Sequence, residues 1–131
     1  MAIGPDQLDD AAHAFLAERH LASLTTTFPD GRLHVVPVAY SWVPEEATIR
    51  IITRVGSRKV ANAERGAEGA LSFVDGGRWM SLHGPTAVRR EPERVTDTSA
   101  RYTDRYGHAP RGDFERVSLE IEVDVIRGRW G

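Results

Sequence analysis

LASLTTTFPDGRLHVVPVAYSW, residues 21–42, decides the fold class. Residues 21–28 are short, apolar and rich in threonine, the composition of a half-buried strand rather than a helix. Pro29-Asp30-Gly31 is a turn signal: proline presets its φ, aspartate bonds its own backbone, and glycine accepts a positive φ. Residues 33–42 (LHVVPVAYSW) then read as a second strand, so the two are predicted to form an antiparallel hairpin. Pro37 lies inside this strand and cannot donate to a ladder, which predicts an edge position, a bulge or an irregular stretch there.

The pattern continues outward. Pro44-Glu45-Glu46 is the next turn and residues 47–55 (ATIRIITRV) the third strand. Residues 70–74 form a fourth strand, followed by an Asp75-Gly76-Gly77 turn. Residues 78–90 (RWMSLHGPTAVRR) form a long fifth strand interrupted by Gly84-Pro85, where a bulge or corner is expected. Residues 115–127 alternate, with Val117, Leu119, Ile121, Val123 and Val125 on one face and Ser118, Glu120, Glu122 and Asp124 on the other. Helices are predicted over residues 5–19, with Pro5 in the first turn, over residues 58–65, and over residues 91–106, where Val95, Ser99, Tyr102 and Tyr106 share a face. Six strands joined mainly by hairpins, with glycine and proline at the breaks, predict one mainly β domain over residues 1–131 with small helices. Its sheet closes into an antiparallel barrel, because closure removes exposed edges.

Composition limits the function classes. The chain has 131 residues, net charge -2 and no cysteine, so disulfides, thiolate nucleophiles and cysteine metal sites are excluded. No basic face of the kind that neutralises phosphate backbones is visible, so no nucleic-acid partner is expected. No apolar run approaches the ~20 residues that span a bilayer, and the start carries no signal-peptide core, so a cytoplasmic protein without membrane attachment is expected. The five histidines (His13, His20, His34, His83 and His108) lack metal-ligand spacing, and no metal is expected. No nucleophile–base–orienter set appears, which fits chemistry carried by a cofactor, and no catalytic residue is assigned.

Of 17 basic residues, 16 are arginines and one is lysine, Lys59. It falls in TRVGSRKVAN, residues 53–62, which reads strand, glycine turn, serine cap, helix. A helix start presents free N–H groups and a partial positive charge to an anion. Ser57 adds a hydroxyl, and Arg58 and Lys59 put full charges on a first turn where they oppose the helix dipole. A bound anion would compensate that placement; a simple serine cap with solvated charges is the other reading. Trp79, after the double-glycine turn, fits either stacking on a planar ligand or packing.

At these residues the chain resembles the split β-barrel flavoproteins of the pyridoxamine 5'-phosphate oxidase-like family, the FMN-binding split-barrel type, and within it the F420-dependent reductase branch that includes reductases of biliverdin. The similarity rests on FLAERHLASLTT (residues 15–26), DGRLHVVPV (30–38), GSRKVANAER (56–65) and VDGGRWMSLHG (74–84), in that order and spacing. It implies a homodimer with each cofactor in a groove at the interface and a small-molecule substrate. Lys59 and Ser57 match phosphate-binding positions, with Arg58 and Asn62 close by. Val36, Pro37 and Val38 match the strand along the flavin ring, and Thr53 a position near the ring and ribityl chain. Trp79 would come across from the partner subunit. Many relatives carry an arginine two residues before the lysine, where this chain has Ser57, leaving charge to Arg58, Arg54 or the backbone. The implied cofactor is the deazaflavin F420, with FMN as the alternative, and the implied reaction is hydride transfer to a conjugated acceptor such as biliverdin or a quinone. An FMN-dependent oxidase or reductase, and a non-catalytic flavin- or haem-binding protein, are the competing readings.

Overall fold

A computed structural model of the chain describes residues 2–131. A 3-10 turn, Pro5–Gln7, precedes helix α1, Asp10–Ala17. The predicted helix over residues 5–19 is therefore shorter. Asp9, not Pro5, starts it, because the Asp9 carboxylate accepts from the Ala12 N–H and Asp9 itself is extended. Strands β1, Leu21–Thr27, and β2, Leu33–Ala39, form the predicted hairpin in continuous register, with Ser23 opposite Pro37. Strand β2 ends the sheet order, so Pro37 sits on an edge strand where a missing N–H is tolerated.

The expected second strand breaks at Tyr40, and Ser41–Val43 becomes a separate strand, β3. Then follow β4 (Thr48–Arg54), α2 (Arg58–Ala63), β5 (Glu68–Asp75), β6 (Arg78–Arg89), α3 (Pro92–Tyr106), β7 (Arg116–Glu122) and β8 (Val125–Arg129). The six predicted strands thus resolve into eight, all paired antiparallel in the order β2-β1-β5-β6-β7-β4-β3, with β8 on β6. The second split comes at residues 123–124, where Val123 N–H donates to Ala47 O and Asp124 N–H to His83 O. The alternation slips there, so that Ile126 rather than Val125 enters the core.

The long strand β6 joins the two halves. Residues 78–85 pair with β5, and residues 86–89 pair with β7. The corner falls at Gly84-Pro85, and a Cβ on Gly84 would meet Glu122 O at 1.9 Å. Only glycine lets the two backbones approach this closely. One apolar cluster fills the interior, joining Leu24, Leu71, Leu82 and Ile126 from one half to Ile49, Ile51, Leu119 and Ile121 from the other, with Phe15 and Leu16 of α1. Among the described residues, no helix is long and apolar enough to cross a membrane.

Helix α3 lies on β4 and β7 through charge rather than grease. Ser118 and Glu120, predicted to face away from the apolar row, are fully covered by it. Thr98 of α3 meets Ser118 at 2.8 Å, and Arg94 clamps Glu120 with bonds of 2.7 and 2.5 Å and Glu46 with bonds of 3.0 and 2.9 Å. Gly107, in the left-handed conformation at φ +82°, ends the helix.

Candidate anion and cofactor site

The strand–turn–helix of residues 53–62 opens onto a cavity of about 340 Å³, within the ~300–1,000 Å³ range of small-molecule sites. Strand β4 supplies Thr53 and Arg54, and the turn and α2 supply Ser57 and Lys59. The remaining wall comes from Tyr102 of α3, Arg116 of β7, and Pro110, Arg111 and Phe114 of the loop between them.

Four cations line this space and no carboxylate does. The β4–β7 register sets Arg54 directly opposite Arg116, a like-charge pairing that opposes strand association. Burial, and then the neighbouring Arg54 charge, lower the Lys59 pKa below its usual 10.5. Ser57 occupies the N-cap position, yet its hydroxyl makes no capping bond. Its Oγ is buried with no hydrogen-bond partner. Buried polar atoms are rarely left so. A bound anion would accept from the Ser57 hydroxyl, offset the Arg54–Arg116 repulsion and oppose the lowering of the Lys59 pKa. The residues present therefore fit a phosphate-bearing cofactor.

The other residues named from the sequence lie elsewhere. Arg58 turns away from the cavity and stacks over the Phe28 ring, 5.3 Å from its centroid. Asn62 is buried and donates to Thr26 Oγ1 at 3.2 Å, fastening α2 to β1. Val36 and Val38 face the core from β2, and Pro37 is exposed on the opposite face. Trp79 lies beside Val74 on the outside of the sheet, 40% exposed. Tyr102, Arg111, Phe114 and Arg116 were not foreseen as site residues. For the two arginines the one sequence signal was the arginine content, which does not say which arginines converge.

Two larger cavities, of about 850 and 660 Å³, have different character. The first is the charged recess beneath α3, whose main cations, Arg50, Arg94 and Arg101, are already paired with Glu46, Asp97 and Glu120. The second lies between α1, β3 and α3, and its arginines bond to Asp97, Glu45 and Tyr106. Glu18, His20 and Asp75 bring potential metal ligands within 4.8 Å of one another, but Arg78 donates to both carboxylates at 2.8–2.9 Å and holds the place a cation would take.

Comparison with known proteins places these features. The sequence pattern described as pyridoxamine 5'-phosphate oxidase matches residues 8–130. The chain is 43% identical over 122 residues to the F420H(2)-dependent biliverdin reductase of Mycobacterium tuberculosis (strain CDC 1551 / Oshkosh), covering 93% of this chain and 88% of that one. A conserved hypothetical protein of Mycobacterium tuberculosis has the same fold, with TM-score 0.78 and 23% identity over 92% of this chain and 84% of the other. A structure described as an F420 reductase superposes with TM-score 0.74 and 19% identity over 92% and 98% of the respective chains.

Proposed function

This chain belongs to the pyridoxamine 5'-phosphate oxidase family, and from that premise we propose that it is an F420-dependent reductase acting on a conjugated small-molecule acceptor such as biliverdin or a quinone. The observation that carries the reading is the carboxylate-free cavity in which Ser57 and Lys59 lack anionic partners. The 43% identity to an F420H(2)-dependent biliverdin reductase supports F420 over FMN. Reduced F420, when bound, supplies a hydride to an electron-poor conjugated carbon. Lys59 and the Ser57 hydroxyl hold the phosphate, with Arg54 adding charge. Thr53, one residue before Arg54 at the end of β4, lines the same cavity and would lie near the ribityl chain. The backbone of Val36, Pro37 and Val38, with Pro37 exposed, would offer a strand to the flavin-like ring. The protein's part is position and exclusion of water.

The experiment is a titration of the purified protein with F420 and, separately, FMN, followed by tryptophan fluorescence. Tight F420 binding with weak FMN binding is expected, followed by turnover of biliverdin or a quinone with reduced F420. FMN preference would move the protein to the oxidase-like branch, and tight binding of haem or flavin without turnover would make it a carrier. In the same titration Lys59→Ala should weaken F420 by about 1–3 kcal/mol, roughly 5- to 150-fold, the worth of a charge-assisted contact. Because the Lys59 pKa is lowered in the free site, parent affinity should also fall as pH rises, beginning below 10.5. Lys59→Arg should remove that pH dependence. Unchanged affinity in Lys59→Ala would remove the phosphate assignment.

The assembly we propose is a homodimer. Leu21, Leu33, Val35, Pro37, Val74 and Trp79 are all exposed. Cross-strand register places them on one face of the β2-β1-β5-β6 sheet. With only small polar residues such as Ser23, Thr25 and Ser72 between them, these exposed apolar side chains offer an association surface, and a second copy presenting the same face covers it symmetrically. The expected result is a dimer by sedimentation equilibrium that Val35→Asp with Val74→Asp converts to a folded monomer. A parent protein that sediments as a monomer at micromolar concentration would overturn it.

A further inference from the structure

The side of the cavity that α2 does not supply is irregular chain, yet it is built. Gly112 has φ +85°, and the Phe114 ring lies so close to it that an added Cβ would meet Cε2 at 2.2 Å. Arg54 rests over the same ring, 5.2 Å from its centroid. The Arg116 guanidinium reaches back across this turn. Its terminal nitrogens donate to the carbonyls of Arg111 at 2.8 Å, Gly112 at 2.6 Å, Phe114 at 3.3 Å and Pro110 at 3.5 Å. One fork thus gathers four carbonyls of a segment that belongs to no strand or helix. Both terminal nitrogens are thus engaged with backbone carbonyls. No ion pair or side-chain hydrogen bond engages Arg111 among the described residues, and it lines the cavity.

We propose that Arg116 is a positioning residue for the anion site: it acts through the backbone of residues 110–114 to hold Arg111 and Phe114 in the cavity wall, so that Arg111 can offer its charge to the ligand. The inference rests on the reading of this cavity as the cofactor site. Geometry distinguishes it from a simple contribution of charge. A planar guanidinium presents five donors in a fixed fork and can satisfy several carbonyls at once. An ammonium keeps the charge but cannot span the same set. Without the fork, the carbonyls turn to water, the loop samples other conformations, and the ligand must order it again on binding.

The test compares the parent with Arg116→Lys, Arg116→Gln, Arg111→Gln and Gly112→Ala. F420 affinity is measured by calorimetry, with FMN as the second probe, and amide hydrogen exchange over residues 107–116 is followed without ligand. Both Arg116 variants should weaken F420 about tenfold or more, with no rescue by lysine. Their loop amides should exchange faster. Gly112→Ala should repeat this pattern with every charge retained. Arg111→Gln should lose comparable affinity with unchanged exchange. Parent-like binding by Arg116→Lys, or unaltered loop exchange in Arg116→Gln, overturns the inference while leaving the cofactor site in place. A parent protein that binds neither F420 nor FMN overturns the site reading and this inference together.

Discussion

Gly84→Ala should abolish the fold or lower its stability by about 4 kcal/mol, in the range reserved for severe core defects. The reason is local and backbone-to-backbone. At residue 84 strand β6 passes from its partner β5 to its partner β7, and the β7–β8 corner lies directly against it. A methyl group there would sit 1.9 Å from Glu122 O, 2.7 Å from Glu122 C and 3.2 Å from Val123 Cα. None of these atoms can rotate away, because Asp124 N–H is held by His83 O and Val123 N–H by Ala47 O. Relief requires breaking the corner that joins the two halves of the sheet. Gly77→Ala is the internal control, since nothing lies within 4 Å of its added Cβ. In thermal unfolding followed by circular dichroism, Gly77→Ala should melt near the parent. Gly84→Ala should melt about 15 °C lower, or be insoluble. A Gly84→Ala protein melting within about 2 °C of the parent, well under the shift of a single kcal/mol, would show that the corner opens easily and that the halves are less tightly coupled than the register implies.

That corner also marks where the sequence stops being readable. Gly84-Pro85 announced a break, and the turns at residues 29–31 and 75–77 announced hairpins, because those signals are intrinsic to the residues that carry them. The splits at Tyr40 and at residues 123–124 carry no such signal. They arise when a strand leaves one partner for another, and the bonds there come from far away in the chain: the Tyr106 hydroxyl at Tyr40, and Ala47 and His83 at residues 123–124. Ser118 and Glu120 misled for a related reason. Polar alternation reads as a solvent face, yet α3 covers both, with Thr98 and Arg94 placed to satisfy them.

The site divides along the same line. Thr53, Ser57 and Lys59 were legible because strand, turn and helix are contiguous there, and the fold brings all three to one cavity. Arg58 and Asn62 share that helix but turn to Phe28 and Thr26, contacts that only the β1 hairpin makes possible. The loop wall was invisible because pairing of Arg54 with Arg116 is a fact of register between strands 62 positions apart. An arginine-rich chain offers many candidates, and only topology selects among them.

Removing the arginine that docks α3 should be the second most damaging change. Arg94→Leu leaves Glu120, 1% exposed, with only Ser118 Oγ at 2.8 Å and Arg50 Nε at 3.9 Å. Stripping a buried carboxylate of its bidentate partner costs about 3–5 kcal/mol, because the desolvated charge remains and its compensation does not. Replacing both members by apolar groups is often close to neutral. The Arg94→Leu, Glu120→Leu double variant should therefore recover most of the loss, giving a coupling energy of about 2 kcal/mol or more in the cycle. The pH dependence follows from Glu46, whose carboxylate is held down to about 2, first by its hydrogen bonds to Arg94 and also by Arg50 and Thr48, against the opposing effect of burial. A depressed carboxylate contributes stability above its ordinary value of 4.5 and loses it as pH falls toward about 2. The part of the Arg94→Leu deficit that runs through Glu46 should accordingly shrink across that window. Urea unfolding at neutral and acid pH measures both quantities. The loss should reach function as well, because Arg94, Thr98 and Tyr102 recur at four-residue intervals on one face of α3, and Tyr102 forms part of the cavity wall. Arg94→Leu should thus weaken cofactor binding in the folded fraction, whereas the double variant, with α3 seated again on an apolar contact, should bind like the parent. If the double variant is no more stable than Arg94→Leu, α3 is held by the Glu46 contacts rather than by the buried pair.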